Sequence, residues 1–284
     1  MEFLTFLIDG LLLGFVYGIA AMGLTLIWGV MNVINLAHGP IISLGGFGVY
    51  LLFTSFGLNP YLALVLTALA GLMLGMGIYW VAIHRVIDAP HLSTLLATFS
   101  VNMIIIGLGT AVFSTTPRNV AFNLGSLTFG TITIPLSRLI SAFASMLIAA
   151  LLYLFLYRTT IGKHVRAVAI NRSAAELMGI HSHRILALSF GIGTMLASIA
   201  GGMIATIFPF TILSGGTYEL KSFVIGVLGG LGNPLGALAG GLILGMIEGL
   251  IPAVLPITWV PVLEFLLFIL ILLFRPRGLF GARR

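Results

Sequence analysis

The sequence predicts an all-α polytopic membrane protein of about eight or nine transmembrane helices, with broken segments and an inverted repeat. Of its 284 residues 60% are apolar and 7% charged, and the mean hydropathy is +1.20; a soluble domain carries about 25% charged residues. Apolar runs of roughly the 20 residues needed to cross a bilayer recur along the whole chain. The basic residues behind the formal charge of +6 gather in short loops between those runs, which points to membrane topology and not to nucleic-acid binding.

Spanning runs lie near residues 10–29, 40–56, 61–83, 94–114, 138–157, 185–207, 235–251 and 258–274, with a shorter one from Phe223 to Leu231. The first run is preceded by Glu2 and Asp9, without a basic leader or a small-residue cleavage site, and reads as a retained helix. Arg158, Lys163, Arg166, Arg172 and Arg184 mark the loop at about 158–184 as cytoplasmic, as Arg275, Arg277, Arg283 and Arg284 mark the tail. The His84-Arg85 turn falls on the same side; Arg118, Arg138 and Lys221 fall on the other. Parity then requires the short run before Pro234 to cross as well. The expected result is nine passes in one transmembrane domain over residues 1–284, with the N-terminus outside and the C-terminus cytoplasmic.

Two interruptions stand out. The first reads Asn32-Val-Ile-Asn35-Leu-Ala-His38-Gly39-Pro40 and the second Gly229-Gly230-Leu-Gly232-Asn233-Pro234. Non-helical backbone at membrane depth persists only where protein or a water-filled cavity covers it, and paired Gly/Pro breaks in two halves mark a midplane pathway. The spans before the two breaks run in opposite directions, as an inverted repeat requires. Asn32, Asn35 and His38 recur at a spacing of three, so they share one face if the helix continues. Two readings stand for them: contact with a polar solute, or hydrogen bonding to the carbonyls that the break frees. Glycines four apart, such as Gly226 with Gly230 and Gly236 with Gly240, predict close helix packing.

The loop run Gly162-Lys163-His164-Val-Arg166, followed by Asn171-Arg172-Ser173-Ala-Ala-Glu176-Leu-Met-Gly179, predicts a short extramembranous helix. Ser173 and Glu176 form a capping box and Gly179 supplies the stop. It is expected to seat on a partner, or to rest on anionic lipid. Glu219, Lys221, Glu248 and Glu264 are expected near the outer helix ends, where Glu219 and Lys221 pair or meet solvent. Without cysteine there is no disulfide, thiolate metal site or cysteine nucleophile. No phosphate-binding G-x-x-x-x-G-K-[ST] loop occurs, so ATP hydrolysis is not expected on this chain. No cofactor, metal site or catalytic residue is expected either.

Taken together, the run Gly23-Leu24-Thr25 through Gly39, the loop Gly162–Ile180, the run Val227–Ala237 and the ending Arg275-Pro276-Arg277-Gly278-Leu279-Phe280-Gly281 resemble the permease subunits of branched-chain amino-acid ABC importers, of the LivH type. Pro40 departs from the glutamate that many members carry after the His-Gly pair. The resemblance implies half of a transmembrane heterodimer in a bacterial or archaeal inner membrane. Its partners would be a second, LivM-like permease, two cytoplasmic ATPases and an extracytoplasmic binding protein, with the lipid bilayer around it and no nucleic acid. It also implies that Arg166, Asn171, Ser173, Glu176 and Gly179 belong to a coupling loop on the ATPase. Related permeases serve urea and short amides. A stand-alone carrier or channel is the contrasting expectation, and the scarcity of charge in the inner halves of the spans argues against it.

Overall fold

The computed structural model describes residues 2–122, 124–129, 132–275 and 278–281. Helix α1 spans Glu2–Met31, α2 His38–Phe56 and α3 Pro60–Ile78, the last extended by a π-helical turn, Tyr79–Ile83. After α4 (His91–Phe113) comes an antiparallel hairpin of β1 (Ser126–Phe129) and β2 (Ile132–Pro135), with Ser126 opposite Pro135. Then follow α5 (Leu136–Arg158), α6 (Thr160–Ile170), α7 (Arg172–Leu177), α8 (Ser182–Ala205), α9 (Gly215–Gly229), α10 (Pro234–Leu250) and α11 (Val260–Phe274). Among the described residues eight helices are long and apolar enough to cross a membrane. The polytopic helical architecture expected from hydropathy is therefore present, and the hairpin is a small addition on the side of Arg118 and Arg138.

Helix boundaries follow local chemistry. Asn59 accepts a hydrogen bond from Tyr61 N at 2.9 Å and Pro60 opens α3, while Asn233 accepts from Gly236 N at 3.1 Å and Pro234 opens α10. Both are asparagine caps followed by proline, which has no N–H to leave unpaired. At the far end of α2, Gly57 takes φ +64°, the left-handed turn that glycine enters without a side-chain clash.

Burial sorts the helices into a centre and a rim. In α1 and α8, 83% and 89% of the most apolar stretch is buried, against 17% in α4 and 11% in α11. Helices that are apolar all round are either enclosed or facing lipid, so α1 and α8 form the core and α4 and α11 the periphery. What brings α1 so close to its neighbour α10 is glycine. Gly10 lies against Gly245 and Gly249, Gly14 against Gly241, and a Cβ on Gly241 would stand 2.6 Å from the Gly18 Cα and 2.7 Å from the Gly14 carbonyl oxygen. The pairing is antiparallel. A second close seam joins α8 to α2 and α3, with Gly45 on the Ser198 backbone and Gly201 on the Ile42 carbonyl. Backbone contact of this kind replaces the hydrophobic drive that lipid cannot supply.

Helix α2 does not begin at the bundle surface. His38 lies against Ala20, which is about 16 Å back along α1 from Met31 at 1.5 Å per residue. Residues 32–37 must therefore climb back to mid-depth in a non-helical conformation before α2 starts. The same device occurs in the other half. After α8 the chain turns back through residues 206–211, and α9 starts at Gly215, whose backbone touches that of Gly39. At 15 residues α9 is about 22 Å long, short of the roughly 30 Å hydrocarbon layer.

This pairing corrects one expectation. The break at Asn32–Gly39 was matched in sequence with Gly229–Pro234, but Gly232 packs on Gly29, at the end of α1. The spatial counterpart of His38 and Gly39 is the start of α9. The second glycine run is a tight turn between α9 and α10, in which Gly230 and Gly232 take φ of +91° and +86°. Its glycines answer a steric need of the turn, so composition alone could not separate it from a mid-depth break.

Candidate functional site

The mid-depth break is built from α1, α2, α4 and α9. Asn32 takes φ +52° and its N–H still reaches Trp28 O at 2.8 Å, so it closes α1 and is exposed there. Asn35 and His38 are fully enclosed. The Asn35 Oδ1 accepts from Ala37 N at 3.1 Å, and His38 Nε2 donates to Ala20 O at 2.9 Å, which places the ring's one proton on Nε2 in the neutral form. Neither Asn35 Nδ2 nor His38 Nδ1 has a hydrogen-bond partner among the described residues. The break thus keeps a buried donor, Asn35 Nδ2, and two buried acceptors, His38 Nδ1 and Asn102 Oδ1 of α4. Of the sequence-derived group, Asn35 and His38 sit together at mid-depth, and Asn32 does not.

Carbonyls freed by the break are satisfied from α4, by residues that sequence reading missed. Thr98 Oγ1 donates to Ile34 O at 3.0 Å and Asn102 Nδ2 to Leu36 O at 2.5 Å. Their signal was available: Thr94, Thr98 and Asn102 recur four apart and share a face of the span. Thr98→Val with Asn102→Leu is expected to leave both carbonyls unpaired in an apolar setting, at about 1–3 kcal/mol each. Thermal unfolding of the detergent-solubilised chain checks this, and an unchanged midpoint would show the carbonyls find other partners.

Where α2 and α9 meet, Gly39 is held between the Gly215 carbonyl and the side chain of Glu219; a Cβ on Gly39 would stand 2.7 Å from Glu219 Oε2. Glu219 also hydrogen-bonds the Gly39 backbone. A carboxylate at the first turn of α2 complements the positive end of that helix's dipole. Gly229, Gly230, Gly232 and Asn233 stay with the α9–α10 turn. There the chain's last described residues clasp them, with Asn233 Nδ2 donating to Phe280 O at 3.0 Å and Leu279 N to Leu228 O at 2.8 Å.

The basic loop folds as α6 and α7. Arg166 Nε donates to Leu156 O at 3.1 Å and its guanidinium lies 4.7 Å from the Tyr157 ring centroid, fastening α6 to the end of α5. The N-cap of α7 is Asn171, whose Oδ1 accepts from Ala174 N at 3.0 Å. This corrects the capping box assigned to Ser173 and Glu176. Asn171 lies one position ahead of the helix in extended conformation, as a cap must, while Ser173 is already inside it. Gly179, at φ +83°, donates to Glu176 O at 2.9 Å and ends the turn as expected.

Glu176 is used differently: with Arg172 it joins three segments. Arg172 bonds Asp88 at 2.7 Å, Glu176 at 3.2 Å, Ser182 at 3.1 Å and His183 Nε2 at 3.0 Å, and Ser182 donates to Glu176. Because a guanidinium only donates, His183 Nε2 must accept, so its proton is on Nδ1, 3.1 Å from both His84 Nδ1 and the Tyr79 hydroxyl. Helix α7, the start of α8 and the π turn after α3 are thereby locked into one hydrogen-bonded unit.

The Ser182 hydroxyl, and after it Arg172, holds the exposed Glu176 carboxyl below its ordinary value of 4.5. A depressed folded-state pKa gives order that is complete above the ordinary value and lost as pH falls through the lowered one. Hydrogen-exchange protection at α7, taken relative to the intrinsic amide rate at each pH, is therefore expected to hold from pH 8 to 5 and to be lost only below about pH 4. A loss of protection already near pH 6 would instead assign the lock to His183.

Deeper in the bundle lies a charged group that sequence reading placed at the outer helix ends. Lys221 Nζ stands 2.5 Å from Glu248 and 3.2 Å from Glu264, and 4.8 Å from the ring centroid of Tyr17, whose hydroxyl donates to Glu248 at 3.3 Å. Lys221 thus pairs with the two later glutamates and not with Glu219. Arg138, by contrast, meets Asp9 at 2.8 Å near the start of α1. Among the described residues no group of three His, Cys, Asp or Glu side chains has metal-binding geometry.

A core of two buried helices, each followed by a mid-depth break and packed backbone to backbone, defines a polytopic membrane protein. The chain belongs to the family described as the branched-chain amino acid transport system permease component, which matches residues 6–273. It is 30% identical to the high-affinity branched-chain amino acid transport system permease protein BraD of Pseudomonas aeruginosa, over 99% of this chain and 96% of that one. LivH of Escherichia coli is 31% identical with the same coverage, and a probable LivH of Methanocaldococcus jannaschii is 31% identical over 77% of this chain and 71% of its own. No solved structure matches.

Proposed function

We propose that this permease forms one of two membrane-spanning halves of an ATP-driven importer for branched-chain or related amino acids. Its partners in this reading are a LivM-like second permease, two cytoplasmic ATPases and an extracytoplasmic binding protein. The chain lies in the inner membrane with its N-terminus outside and its C-terminus in the cytoplasm, and α6 and α7 form the coupling loop.

The observation that carries the reading is the exposed tip of α7. Leu177 and Met178 are 89% and 83% exposed on a helix whose opposite side is locked by Arg172 to α8 and α3. A tip of this kind offers apolar contact to a partner, and the lock passes its displacement to the helices behind it. Helix α8 in turn packs Gly193 on Gly23 and Ile27, beside His38. Movement of α7 would thus reach the mid-depth break through packed elements with no loose link.

The test is uptake of radiolabelled leucine, urea and a short amide into proteoliposomes holding this chain with and without the four partners. Leucine uptake that needs both the partners and ATP is expected. Flux through this chain alone, independent of ATP, would overturn the reading in favour of a carrier or channel.

A further inference from the structure

Lys221, Glu248 and Glu264 are more than a buried ion pair. Helices α1 and α9 run parallel, with the Tyr17 and Tyr218 rings 6.2 Å apart and Gly226 beside Thr25, so Lys221 lies level with the middle of the 30-residue α1. A structural pair needs one acid for one base, whereas here two carboxylates share one ammonium. Glu264 is 5% exposed and stands beside Glu248, with Lys221 3.2 Å from its Oε1, so two acids crowd one base. Burying charge is costly, and ionisable groups inside a membrane bundle pair with one another and mark a water-filled cavity or a pathway.

Two cavities open on this group. One, of about 260 Å³, is lined by Tyr17, Thr217, Tyr218, Lys221 and Glu248, and the other, of about 350 Å³, by Thr217, Lys221, Val224, Glu264 and Phe265 among others. Lys221 and Thr217 border both. These volumes sit at the lower edge of the roughly 300–1,000 Å³ of small-molecule sites, which sets the occupant's size.

Building on the import reading, we propose that this group is a binding site for the zwitterionic head of a free α-amino acid. The ammonium goes to Glu264, the carboxylate goes to Lys221, and apolar walls including Val224 and Phe265 meet the side chain. Lys221 keeps Glu248, and Glu264 gains a cation of its own. A neutral amide brings neither charge and leaves the surplus carboxylate unpaired, so the site selects amino acids over urea and amides.

The chain's lack of cysteine makes the test direct. Thr217→Cys, and separately Leu220→Cys from the α11-side cavity, are assembled with the partner subunits, and modification by a membrane-impermeant maleimide is followed on this chain alone. Leucine is expected to slow modification about tenfold, equivalent to 1.4 kcal/mol of occupancy, whereas urea and 4-methylpentanoate, which lacks the ammonium, leave the rate unchanged. Lys221→Met should abolish the protection and Lys221→Arg retain it. Unprotected cysteines in a sample that still imports leucine would overturn the site while leaving the import reading intact. Absent leucine import in the unmodified complex would overturn the import reading itself.

Discussion

Gly241→Leu is expected to stop α1 and α10 from closing and to leave little folded protein. The added side chain would meet the backbones of Gly14 and Gly18, and backbone, unlike the end of a flexible side chain, cannot swing away. Overpacking costs about 1–3 kcal/mol where side chains can yield, and here the obstacle is the main chain of α1. Gly107→Ala is the matched control. A Cβ there meets nothing within 4 Å, and alanine favours a helix interior by about 1 kcal/mol. Size-exclusion profiles and thermal midpoints in detergent should separate the two variants widely. Equal behaviour would mean that the α1–α10 contact is looser than the geometry indicates.

Arg172→Gln is expected to leave the chain folded and to uncouple it. The substitution removes the donors that join Asp88, Glu176, Ser182 and His183. Arg172 is partly exposed, so screening keeps the effect on global stability small. What is lost is the rigid connection from α7 to α8 and α3. In proteoliposomes with the full set of partners, leucine uptake per ATP hydrolysed should fall by about tenfold or more, since one charge-assisted hydrogen bond of roughly 1.5–3 kcal/mol corresponds to about 10- to 150-fold. Arg172→Lys keeps the charge but not the fork and should recover only part of the ratio. An unchanged ratio in Arg172→Gln would mean that motion reaches α8 by another route.

The spans were legible because hydropathy and length are local properties. The run near 94–114 became α4 at His91–Phe113, and the short run before Pro234 lies in α9, which is not among the eight described helices long and apolar enough to cross a membrane. Loop chemistry was legible in part: Gly179 ends α7 as expected, but a shift in the cap, from Ser173 to Asn171, freed Glu176 for Arg172. Pairings across the bundle were not legible. Nothing near His38 in sequence announces Gly215, and nothing near Lys221 announces Glu264. A charged residue's depth depends on which helices flank it, so reading Lys221 from its place in one apolar run put it at the rim. Thr98 and Asn102 show the same limit, since a polar pair on an apolar helix signals a partner without naming it.

The enclosure of α1 has a consequence for how the chain is made. Helix α1 is translated long before α10, the neighbour whose backbone it meets, and its Tyr17 bonds Glu248, 231 residues later. Until then its glycine face has only lipid, or an insertion factor, to rest on. Contacts so distant in sequence form late, and intermediates that wait for them are open to misassembly and proteolysis. Nascent chains truncated before residue 234 should therefore enter the bilayer yet be degraded quickly, with lifetime restored once α10 is translated.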